Sequence, residues 1–190
     1  MIATALRRRL SPPLAVTALA LFCLGLLLGL FTYLARSPEQ EPHDANANAW
    51  PVHSVLAMLA AAWLGVAHRR RARSADPQRL LLLAPIGTRA ESRIRTTADR
   101  ARRDPATALR LMLGIPFTAM IAYGSVRAGQ QVLAGLDPNF VVNAWGGPSY
   151  VGAMACHYLD GALIIAVCAN VVDALLLPAG AAARRETPRQ

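Results

Sequence analysis

His157 and Asp160 stand three residues apart in NAWGGPSYVGAMACHYLDG, residues 143 to 161, which opens like a turn and then enters an apolar run. At i,i+3 on a helix the two side chains can hydrogen-bond, and the carboxylate would favour the imidazolium. His53, near the start of an earlier apolar run, enters at a similar depth, and Asp173 follows Asp160 by thirteen residues. Thirteen residues of helix span about 20 Å, less than the roughly 30 Å hydrocarbon core of a bilayer. A membrane-spanning helix carrying both acids must therefore immerse at least one, and such a group normally faces the bundle interior and finds a partner. His157 is the nearest partner for Asp160 in the sequence.

Three kinds of chemistry are open to these residues. His53, His157 and Asp160, helped by His43, are the right types for a metal, but HxxxH or HExxH spacing is absent. No metal site is assigned, and no cofactor is predicted. Ion or proton handling through His157, Asp160 and Asp173 is the general meaning of intramembrane ionisable groups. A structural pair joining the second and fourth apolar runs is the plainest reading and the preferred one.

No GxSxG, P-loop, HExxH, GxGxxG or CxxC pattern occurs, which argues against the familiar enzyme classes. Cys23, Cys156 and Cys168 all lie inside apolar runs and read as packing residues rather than a disulfide framework.

The elements that must position these groups are set by composition. Of 190 residues 54% are hydrophobic, gathered into runs rather than amphipathic stripes, which points to the bilayer. Four runs are predicted as spans: 14–34, 50–67, 109–126 and 150–178. The first follows Arg7-Arg8-Arg9 but is too long for a signal peptide and lacks an A-x-A site, so it reads as an uncleaved anchor. The third holds Pro116, which should kink it, and is bracketed by Arg110 and Arg127.

All twenty basic residues are Arg, which with the abundant Ala suggests a GC-rich bacterial genome. Eleven fall between His68 and Ala108, three precede the first run and three follow the fourth, whereas the loops 35–49 and 127–149 hold only Arg36 and Arg127. The bias of Lys and Arg marks the cytoplasmic side. The expected fold is thus an all-α integral membrane protein of the cell membrane, with four transmembrane helices in two hairpins. Both termini and the basic loop 68–108 are inside. The formal charge of +9 is then explained by topology and by anionic headgroups of the inner leaflet, without nucleic acid.

Within the basic loop, Arg89 to Arg103 is predicted helical, with Glu91/Arg95 and Asp99/Arg103 at i,i+4. It has almost no apolar face and reads as a solvated helix near the inner leaflet, or as a docking surface for an acidic partner. Leu80–Ile86, too short to span and broken by Pro85, is expected at the interface or packed under the bundle. Gly25 and Gly29 form GxxxG, and Ala162 and Ala166 continue an alanine row in the fourth run; both suit close helix packing, the latter against a further subunit. Trp50, Trp145 and Tyr150 are expected as interface anchors. In WGGPSY the glycines permit positive φ, Pro148 suits a helix start and Ser149 a cap; an outward-facing ligand loop is the functional alternative. A short echo, Asn48-Ala49-Trp50-Pro51 against Asn143-Ala144-Trp145, raises a duplication of the hairpins, though so brief a match in an Ala-rich chain is as readily chance.

On these residues the chain is expected to be a non-enzymatic subunit or scaffold of a membrane assembly, partnered by a membrane protein or by copies of itself. A transporter or ion-pathway component is the second expectation. A membrane enzyme or metal/haem protein with an outer-side histidine site is the third.

Overall fold

In the computed structural model, residues 10–44, 50–72 and 84–178 are described. They form six α-helices and a short 3-10 turn: α1 Pro12–Leu34, α2 Trp50–Ala72, the turn Ala84–Ile86, α3 Thr88–Ala101, α4 Pro105–Ala134, α5 Pro138–Val141 and α6 Tyr150–Leu175. No strand occurs among the described residues; Leu10 and Gly87 make one isolated antiparallel bridge. Three helices, α1, α4 and α6, are long and apolar enough to cross a membrane. The apolar stretch of α2 is shorter, Trp50–Trp63.

Several helix ends differ from the sequence expectation. α2 continues through His68-Arg69-Arg70-Arg71, because arginine is a good helix former and nothing there breaks the pattern. α4 runs for 30 residues, past both Arg110 and Arg127 and through Pro116 without interruption. At roughly 45 Å it exceeds a hydrocarbon core, so polar residues near its ends need not terminate it. The loop expected from residue 127 therefore begins only after Ala134. α6 stops at Leu175 rather than reaching Pro178. Thr17, Thr32 and Thr118 return their hydroxyls to the carbonyls of Pro13, Leu28 and Gly114. Polar groups satisfied inside their own helix suit an apolar surround.

The described chain resolves into two compact units, with α1, α4 and α6 contributing residues to both. One is built from residues 19–44, 50–72 and 123–164. Here Gly25 and Gly29 of α1 are buried against the backbone of α4: a Cβ on Gly25 would fall 1.9 Å from the Val126 carbonyl oxygen, and one on Gly29 2.3 Å from that of Gln130. Gly129 faces back, its Cβ position 2.0 Å from the Phe22 carbonyl oxygen. Gly25 meets Val126 and Gln130, and Gly29, four residues on, meets Gln130 and Ala134. The two helices thus run in the same direction through this contact. Tyr158 and Tyr150 of α6 donate to the Ala128 and Val132 carbonyls of α4, an antiparallel pairing. A small core of Val141, Ala144, Ala153 and Met154, with Phe140 against it, closes the end of the unit.

The loops there are tied by side-chain amides. Asn139 accepts from the Glu41 amide and donates to the Glu39 carbonyl, and Asn143 accepts from the Asp44 amide. In the WGGPSY turn, Gly147 takes φ +92°, a conformation that favours glycine. Ser149 accepts from the Gly152 amide and caps α6, leaving Pro148 just ahead of the cap rather than at the first helical position. Gly146 and Gly152 pack so closely that a Cβ on either would lie about 2 Å from the other's carbonyl oxygen. Of the echoed motif, Asn48 and Ala49 lie outside the described residues.

The second unit is built from residues 10–18, 84–122 and 165–178. Ser11 donates its amide to the Ile86 carbonyl and sits at the start of α1, fully buried. Of the segment Leu80–Ile86, residues 80–83 lie outside the described residues. α3 is helical where expected, with Glu91 paired to Arg95. The second i,i+4 pair is Arg100–Asp104 at 3.7 Å, one residue on from the expected Asp99/Arg103 spacing. α3 is not merely solvated: Arg93 and Thr97, one turn apart, are both buried.

Asp104 caps α4, accepting from the Ala106 amide and the Thr107 hydroxyl. The Thr107 hydrogen bond, chiefly, holds its carboxyl below the usual range, and a hydrogen bond from Ser11 does the same for Glu91. Depressed carboxyl pKa values add stability above the unfolded values, near 4, that is lost as pH falls through the folded ones. The expected result is a decline in thermal stability below about pH 4, which Glu91→Gln and Asp104→Asn together flatten in melting curves at stepped pH.

Candidate functional site

Each polar group singled out in the apolar helices has a defined setting. In the unit of residues 19–44, 50–72 and 123–164, His53 of α2 is 2% exposed, and its Nε2 lies 2.8 Å from Oδ2 of Asp160 on α6. The partner of Asp160 is thus His53, from a different helix, rather than His157. The second oxygen of Asp160, Oδ1, is buried without a hydrogen-bond partner. The Trp145 ring stacks at a tilt on His53, centroids 5.5 Å apart. Trp145 itself is 57% exposed, and Trp50 and Tyr150 are also exposed, at the two helix starts where anchors were expected.

His157 turns to α4 instead. With its side-chain oxygen turned to the donors around it, Gln131 accepts from His157 Nε2 at 3.3 Å and from Arg127 Nη2 at 2.8 Å. Arg127 Nη1 also donates to Gln130, and its guanidinium lies over the Phe140 ring, 5.4 Å from the centroid. Gln131 is 1% exposed, so this amide replaces water for two donors in the bundle. Sequence reasoning did not single out Gln131. The signal available was its position one turn after Arg127, on a helix that runs to Ala134, beyond the expected end at 126.

His43 is engaged elsewhere, its Nδ1 2.7 Å from the Val142 carbonyl oxygen. Among the described residues no group of three His, Cys, Asp or Glu side chains is disposed to hold a metal ion. The idea of a site formed by His53, His157, Asp160 and His43 accordingly has no geometric support.

Asp173 belongs to the other unit, where Arg93 is its partner. Arg93 Nη1 donates to the Asp173 carboxylate. Nη2 donates to the carbonyls of Asp173 and Leu176, and Nε to that of Leu177 at 3.0 Å. Thr97 completes the contact by accepting from the Leu177 amide at 3.0 Å. The last carbonyls of a helix have no partners within it and carry its negative dipole end. Arg93 supplies both donors and charge, capping α6 from the neighbouring α3. The sequence requires a partner for at least one of Asp160 and Asp173; that of Asp173 lies eighty residues away, in a helix expected to be solvated near the inner leaflet or to dock an acidic partner.

The packing glycines and alanines divide. Gly25 and Gly29 are buried, whereas Ala162 is exposed and Ala166 half-buried, with Ala155 and Asn170 exposed on the same side of α6. The buried residues of α6, Ala153, Met154, Cys156 and Cys168, lie elsewhere on the helix. Comparison with protein-family models, with curated proteins and with solved structures gives no match.

Proposed function

We propose that the chain is a four-span protein of the cell membrane, with both termini and the segment around α3 inside, serving as a non-enzymatic subunit or scaffold. Support for four spans comes from direction. α1 and α4 run parallel through their glycine contact, so if both cross the bilayer the chain between them must cross back an odd number of times. α2 is the apolar helix among the described residues of that interval. The arginine distribution sets the side.

The observation that carries the scaffold reading is how the polar groups are used. His53, Asp160, His157, Gln131, Arg93 and Asp173 are all engaged in joining helices of this chain to one another. One face of α6 leaves Ala155, Ala162 and Asn170 exposed among the described residues. An alanine surface with an exposed carboxamide suits a further transmembrane helix. Native mass spectrometry from mild detergent tests this. A stoichiometric second polypeptide, or a homo-oligomer that Ala162→Phe disperses, is expected; a monomer indifferent to that substitution counts against it.

A second reading, an ion or proton pathway, draws on the unpartnered Oδ1 of Asp160. Asp160→Asn separates the two. The scaffold reading predicts loss of about 1–3 kcal/mol of stability as the charged hydrogen bond to His53 is weakened, seen as a lower melting temperature in detergent. The pathway reading predicts lost flux in proteoliposomes with assembly and melting unchanged.

A further inference from the structure

We propose that Arg102, Arg103 and Arg110 form a docking band for the phosphates of anionic lipids at the inner leaflet. This rests on the membrane reading above. All three side chains are exposed, and none enters an ion pair among the described residues. Of the other basic groups of α3, Arg93 is consumed by the end of α6, Arg95 by Glu91 and Arg100 by Asp104, while Arg89, at the opposite end of α3, is also exposed and outside these pairs. Arg102 and Arg103 lie in the connection between α3 and α4, immediately before the Asp104 cap, and Arg110 lies in the second turn of α4.

Arg110 is flanked by Leu109, Met112 and Leu113, which are 57%, 65% and 52% exposed. Exposed apolar side chains next to an unpaired guanidinium group on the same helix mark a boundary. The aliphatic groups suit acyl chains, and the arginine stems can reach back to carry their heads into the phosphate layer. Guanidinium binds phosphate bidentately and with little hydration to lose. Charge complementarity alone would also allow an acidic polypeptide. The exposed leucines and methionine beside Arg110 favour lipid, because an acidic peptide in water offers nothing to cover them.

The test uses the full chain reconstituted in phosphatidylcholine vesicles with and without phosphatidylglycerol. Alkaline extraction comes first: release of the wild-type chain would overturn the membrane reading itself. With insertion established, electron paramagnetic resonance of spin-labelled lipids gives the preference for phosphatidylglycerol over phosphatidylcholine. A several-fold preference is expected, falling towards unity in R102Q/R103Q/R110Q and retained in R95Q. High salt should weaken it. An inserted protein without preference, or a triple variant that keeps it, overturns the proposal. So does a wild-type preference abolished by a soluble polyglutamate that the triple variant fails to bind, since the band would then belong to an acidic polypeptide.

Discussion

Replacing Gly25 by leucine is expected to separate α1 from α4 and to abolish the native fold. The substitution is severe because its neighbour is backbone: the Cβ alone would lie 1.9 Å from the Val126 carbonyl oxygen, 2.8 Å from the Gln130 nitrogen and 2.9 Å from the Val126 carbonyl carbon. Side chains can rotate away from an intruding group, but a helix backbone can only move as a whole. An ordinary overpacked core loses about 1–3 kcal/mol. Here three close approaches share one seam, since Gly29 and Gly129 also admit no Cβ without displacement. Gly25→Ala is expected to reach at least the upper part of that range, about 3 kcal/mol, and Gly25→Leu to exceed it. Gly65 of α2 supplies the control, because nothing lies within 4 Å of its Cβ position. Gly65→Ala should be neutral or stabilising by up to about 1 kcal/mol through helix propensity. Thermal unfolding in a single detergent ranks the variants. A Gly25→Leu protein that melts with the wild type would refute the seam.

Arg93→Gln is expected to cost about 2–4 kcal/mol and to loosen the last turn of α6 selectively. The Asp173 side chain is 65% exposed, so the ion pair itself contributes little of this. The larger part comes from the carbonyls of Asp173, Leu176 and Leu177, which lose charged donors at a helix end. Arg93→Lys should rescue only in part, since an ammonium cannot present the planar fork that meets these acceptors. Arg95→Gln, at a side chain 73% exposed, should change stability by less than about 0.5 kcal/mol. Hydrogen exchange provides a local readout: the Leu177 amide, now bonded to Thr97, should lose protection in Arg93→Gln and keep it in Arg95→Gln.

Legibility in the sequence divides along the range of the interactions involved. Helices are signalled by local composition, so the helical character, the three long apolar segments and the charged α3 could all be read directly. Close contact at Gly25 and Gly29 was suggested by spacing alone, and the structure places both against α4. Helix ends were less legible: α4 continues through Arg127 because Gln130 and Gln131 satisfy its guanidinium, and a window that counts charges stops there. Partners were the least legible. His157 is three residues from Asp160 and His53 is 107 residues away, yet the hydrogen bond goes to His53. Proximity along one helix does not decide what faces a group across the bundle. The same limit hid Arg93, whose buried face is polar and therefore invisible to a search for apolar stripes. The alanine row of α6 illustrates the converse, since small residues permit close packing without specifying which helix supplies it.

Four crossings with both termini inside is the central claim, and labelling of single cysteines in intact cells tests it most directly. In a background with Cys23, Cys156 and Cys168 replaced by alanine, Ser37→Cys and Ser92→Cys place one thiol after α1 and one in α3, both at exposed positions. A membrane-impermeant maleimide is expected to modify residue 37 in intact cells, and residue 92 only after permeabilisation. If both thiols react from the same side, α2 does not cross the membrane and the four-span account is wrong.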